Sequence, residues 1–118
     1  MNTIENRRAP RLPCGGIVSV PGLTDELGDL IDISQSGCRA RFACDIDFAP
    51  NVEYTIALTP LKDVFEAEIR ITARPVWSKK GIAVDGVDGT QIGFDFKAIT
   101  NADLLYRWIN RINSPGRL

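Results

Sequence analysis

The sequence predicts a mainly β protein: a small six-stranded antiparallel β-barrel with a C-terminal α-helix. Three observations carry that expectation. Apolar residues recur at every second position in short runs separated by Gly, Pro, Asp and Asn. Only the last apolar run, LLYRWINRI, recurs at three and four residues. The 118 residues are long enough for one modest core and too short for two.

The elements follow in chain order. Residues 1–13 carry charge and two prolines but little apolar content, and read as a flexible N-terminal arm leading into a domain spanning 14–118. Ile17 to Val20 is a β-rich run closed by Pro21-Gly22. Leu27, Asp29, Ile31 and Ile33 share one face of the next expected strand. Cys38, Ala40, Phe42 and Cys44 then face one way, with Arg39 and Arg41 opposite. Val52, Tyr54, Ile56 and Leu58 repeat the alternation. In VFEAEIRITARPVWS, Phe65, Ala67, Ile69, Ile71, Ala73 and Trp77 fall on one face, and Pro75 marks an edge or a bulge. VDGVDGT reads as a turn, before a last strand with Ile92, Phe94 and Phe96 on one face. The helix is expected over about 100–113, with Thr100 and Asp103 resembling a capping box.

Composition narrows the function. The net charge of −1 gives no global field to draw the protein to DNA, so a polyanion would have to meet a local cluster. No apolar run approaches a membrane span. The start, MNTIENRRAPR, lacks the apolar segment of a secretion signal, so the cytoplasm is the expected compartment. There is no histidine, and Cys14, Cys38 and Cys44 form no CxxC pair. A zinc site and every mechanism with a histidine base are therefore disfavoured, and the cysteines read as small buried hydrophobes. Asp85 and Asp88 lack the further ligands of a calcium loop.

Two short patterns stand out. Arg7 and Arg11 form an RxxxR pair with Arg8 inside it. Alone this is weak: ten arginines in 118 residues give on the order of one such pair by chance, and the chain has two more, Arg70/Arg74 and Arg107/Arg111. Those two fit the solvated faces of a strand and a helix. The first is followed, 21 residues after Arg11, by Asp32-Ile33-Ser34-Gln35-Ser36-Gly37, which fits DxSxxG. By itself that is also what a turn between strands uses. RxxxR in an arm, DxSxxG between early strands, then ARPVWS and QIGFDF before a terminal helix: together these resemble a single-domain PilZ protein over essentially the whole length.

The resemblance implies a non-enzymatic bacterial receptor that binds cyclic di-GMP through Arg7, Arg8, Arg11, Asp32, Ser34 and Gly37, and passes the signal to a protein partner. Asn6 stands where an arginine in the family goes with a stacked pair of ligands, so the resemblance implies one ligand. The chemistry fits. An arginine fork matches guanine O6 and N7, or a phosphate. Asp32 is an acceptor for guanine's N–H edge, and Ser34 adds a hydroxyl. Gly37 permits a positive φ and a close ligand. Trp77 lies on the expected core face, and its ring is also a candidate for stacking on a base. The alternatives are an adaptor of the same fold working by protein contact without nucleotide, and a small barrel binding single-stranded nucleic acid. The latter would need a basic groove with exposed aromatics. No cofactor, metal or catalytic constellation is read from the sequence.

Overall fold

The computed structural model describes residues 12–13, 15–49, 51–60, 68–84 and 86–113. Arg7, Arg8, Arg11 and Cys14 lie outside them, as do Phe65, Ala67 and Asp85. The described strands are β1 (Leu12–Pro13), β2 (Gly16–Ser19), β3 (Gly28–Ile33), β4 (Gly37–Phe42), β5 (Tyr54–Pro60), β6 (Ile69–Val84) and β7 (Val87–Ile99); one helix, α1 (Ala102–Asn113), follows. Every pairing is antiparallel. The order runs β3-β2-β5-β6-β7-β4, and β4 returns to pair with β3, so six strands close into a barrel. Closure leaves these strands no free edge. The two-residue β1, assigned to the arm from sequence, lies on the edge of β3 that β2 also uses: Leu12 is opposite Ile33, Pro13 opposite Asp32, and Ile17 opposite Asp29.

The alternation of the sequence becomes the wall of the barrel. Inward residues are completely or nearly buried: Val18 on β2, Cys38, Ala40 and Phe42 on β4, Ile56 and Leu58 on β5, Ile69, Ile71 and Ala73 on β6, Ile92 and Phe94 on β7. Cys44, beyond the end of β4, is only half-buried, with its Sγ 3.6 Å from Thr24 Oγ1. Leu105, Trp108 and Ile109 share one side of α1 and are buried, while Tyr106, Arg107 and Asn110 are exposed. That stripe seats the helix against β1 and β6.

The strand register shifts at four points among the described residues, and two of them matter below. On β3, Leu30 pairs with Ala40 but Asp32 pairs with Arg39, so Ile31 is an extra residue in a bulge. Leu30 and Ile33 both face the core, while Leu27 and Asp29 are exposed, which corrects the face expected from spacing alone. On β6, Pro75 pairs with Phe94 and Trp77 with Gly93, so Val76 is the extra residue, 45% exposed. Pro75 thus marks a bulge, and Trp77 moves off the core face to the outside.

Two smaller expectations change. The VDGVDGT stretch is mostly strand: Val84 pairs with Val87, and Gly86 turns with φ 80°. Asn101, not Thr100, stands at the helix N-cap, because its carbonyl accepts the first helical bond, from the Leu105 N–H at 3.4 Å. The Asn101 side chain is committed to β6 instead. Its Oδ1 accepts from the Arg70 N–H at 3.3 Å and its amide donates to the Glu68 carbonyl at 3.2 Å.

Candidate ligand-binding site

The DxSxxG segment is the turn between β3 and β4, and its polar side chains serve different ends. Ser34 is 3% exposed. Its Oγ accepts from the N–H groups of Ser36 at 3.1 Å and Gly37 at 3.2 Å. The same hydroxyl stands 3.3 Å from the Gly37 carbonyl and from Ser36 Oγ. The Ser34 N–H also donates to the Gly37 carbonyl at 2.8 Å. One hydroxyl therefore organises the whole turn. The turn is pinned to β7 from outside, where the Phe96 N–H donates to the Ser36 carbonyl at 2.9 Å.

Gly37 is buried and pairs with Asp95 of β7. Its φ is not left-handed: among the described residues the glycines with positive φ are Gly22, Gly81 and Gly86. The expected conformational reason for this glycine is therefore replaced by a steric one. A Cβ here would run into the Phe94 carbonyl oxygen. The glycine lets β4 and β7 close around the turn.

Asp32 points outward because of the Ile31 bulge, yet it is only 4% exposed. Arg39, opposite it on β4, covers it. Both Nε and Nη2 of Arg39 donate to the same carboxylate oxygen, Oδ2, the former at 2.8 Å. The hydrogen bond that Arg39 donates to Asp32 raises the Arg39 pKa above its ordinary value, against the desolvation that would lower it. The other oxygen, Oδ1, is buried and has no hydrogen-bond partner among the described residues. A buried acceptor left unpaired costs about 1–3 kcal/mol.

The register extends this pair into a row across the outer face. Arg39 is opposite Asp32 on one side and Gly93 on the other, and Gly93 is opposite Trp77. The indole lies over Gly93, in the space its missing side chain leaves: a Cβ there would meet the ring's Nε1 and Cε2. Trp77 is thus half-buried on the barrel's exterior, beside Arg39. Acid, guanidinium and indole follow one another across β3, β4, β7 and β6. A planar cation and an aromatic face side by side are surfaces on which a purine stacks.

The arm enters at the same place. Leu12, covalently next to Arg11, has Ile33 as its Cα partner, between Asp32 and Ser34. The structure therefore gathers Asp32, Ser34 and Gly37 where β3 turns into β4, with the root of the RxxxR segment beside them and Trp77 in line with Asp32 and Arg39 across β7. Arg39 was not singled out from sequence. Its outward direction was legible in the alternation, but its partner depends on the β3–β4 register and the bulge. A separate shallow cleft of ≈ 470 Å³ lies behind the turn, lined by residues that include Gln35, Ser36, Lys97 and Tyr106; neither Asp32 nor Trp77 lines it. No helix among the described residues is long and apolar enough to cross a membrane.

Comparison with known proteins gives one finding. The family model described as PilZ domain matches residues 5–111, a span containing both motifs, Trp77 and most of α1. No curated protein and no solved structure gives a match.

Proposed function

This chain belongs to the PilZ domain family, and on that premise we propose that it is a non-enzymatic receptor for cyclic di-GMP. The ligand lies between the arm and the row from Asp32 to Trp77. Arg7, Arg8 and Arg11 supply guanidinium forks to phosphate oxygens and to the O6/N7 edge of a guanine. Asp32 accepts from the N–H groups on the guanine's other edge. Trp77, flanked by Arg39, stacks on a base. Ser34 and Gly37 act by shaping the turn that holds Asp32, since the Ser34 hydroxyl is already engaged by backbone amides.

The observation that carries this reading is Asp32 Oδ1, a buried acceptor without a partner among the described residues, at the root of an arginine-rich arm. The ligand supplies the missing donor. Because that oxygen is shielded from water, its cover must shift before a ligand reaches it. Ordering of the arm over the ligand then changes the surface that a protein partner meets.

Calorimetric titration with cyclic di-GMP, with GTP and a short RNA as controls, tests the reading. Saturable binding of cyclic di-GMP alone, at one ligand per chain, is expected. Failure to bind it would leave the chain as a PilZ-fold adaptor acting through protein contacts. Preference for the RNA would make it a nucleic-acid barrel.

A further inference from the structure

We propose that Arg39 is a positioning residue of this site: by holding Oδ2 of Asp32 with two donors, it leaves Oδ1 as the carboxylate's one open acceptor and fixes where a guanine can dock. The inference rests on the cyclic di-GMP reading above and adds a residue that neither motif contains.

Three observations carry it. First, the two hydrogen bonds are unevenly placed. A guanidinium fork facing a carboxylate commonly engages both oxygens, yet here Nε and Nη2 converge on Oδ2 and Oδ1 has no partner among the described residues. Second, the pair is asymmetrically exposed: the Asp32 side chain is 6% exposed and that of Arg39 is 34%. The acid is shielded, whereas part of the guanidinium-bearing side chain remains at the surface beside the indole of Trp77. Third, the geometry is tied to the fold rather than to a mobile loop. Both residues sit in paired strands, Asp32 opposite Arg39 immediately after the Ile31 bulge. A free carboxylate can rotate and present either oxygen. One clamped by two donors cannot, so a guanine meets a fixed acceptor in a fixed plane.

Lysine at this position keeps the charge but not the fork. Methionine keeps much of the length but neither charge nor donors. The test is calorimetric titration of cyclic di-GMP into the parent, Arg39→Lys, Arg39→Met, Asp32→Ala and the Arg39→Met/Asp32→Ala double variant, with thermal midpoints measured alongside. Arg39→Met should lose about tenfold or more in affinity. Arg39→Lys should recover part of that loss and keeps the assay usable if the methionine variant folds poorly. The double variant should bind within about threefold of Asp32→Ala alone, because Arg39 acts through Asp32. Unchanged affinity in Arg39→Lys and Arg39→Met would overturn the proposal, and so would fully additive losses, which would make Arg39 an independent charge. A parent that does not bind cyclic di-GMP would instead sink the receptor reading itself, a result distinct from these.

Discussion

Arg39 and Trp77 face each other across Gly93: both stand opposite it in register, one on β4 and the other on β6. The residue between them has no side chain, and the indole occupies the vacated space. The seat of the indole on this outer face therefore depends on a glycine.

Gly93→Ala should displace the indole and weaken cyclic di-GMP binding about as much as Trp77→Ala, on the order of tenfold or more for one stacked base. Titration of the two single variants and the double variant checks it. If Gly93→Ala binds normally, the ring's seat over Gly93 is irrelevant to the ligand.

Only one of the three RxxxR pairs should matter. Replacing Arg7 and Arg11 with alanine removes charge-assisted contacts of about 1.5–3 kcal/mol each, so affinity should fall about 10²-fold or more. Arg70 meets Glu68 at the surface, and Arg107 is exposed. Double alanine variants of Arg70/Arg74 and of Arg107/Arg111 should change affinity by less than about threefold. Equal losses in all three, titrated at one salt concentration, would point to diffuse attraction and against the motif.

Ser34→Ala leaves the Ser36 and Gly37 amides without their acceptor. A cost of about 1–3 kcal/mol in stability is expected, with loss of affinity because the turn no longer holds its shape. Urea unfolding and titration measure the two effects separately. A stable variant that has lost only affinity would show that the hydroxyl serves the ligand directly.

Gly37→Ala sets a methyl group against the Phe94 carbonyl, part of a backbone that cannot step aside cheaply. Overpacking of this kind costs about 1–3 kcal/mol. A fall of several degrees in thermal midpoint should therefore accompany any loss of binding. Normal stability with abolished binding would mean that the glycine makes room for ligand rather than for β7.

Much of the fold could be read from spacing. Period-two runs around Cys38–Phe42, Ile56–Leu58 and Ile69–Ala73 became barrel strands with those residues inward, and Leu105, Trp108 and Ile109 became the seated side of the helix. The misreadings share one cause. Counting by twos assumes an unbroken pleat, and the extra residues Ile31 and Val76 each break it. Spacing therefore put Trp77 with the core and hid that Leu30, not Leu27, faces inward. Asp32, Ser34 and Gly37 were legible as a pattern, but their separate roles were not. The Ser34 role rests on backbone amides two and three residues onward, but those of Asp32 and Gly37 depend on Arg39 and on a carbonyl of β7, neither of which is encoded locally.

The two bulges also behave like frameshifts in side-chain direction. Were Ile31 taken into a regular ladder, Asp32 would fall in phase with Leu30 and turn a carboxylate toward the barrel interior. Were Val76 taken in likewise, the indole would return to a core that already holds Phe94 and Trp108. Each change is one of strand pairing and touches no motif letter, yet each removes one end of the same row. A lineage of this fold can therefore retire its ligand while keeping both signatures intact in its gene, so motif presence and a competent site are separable traits.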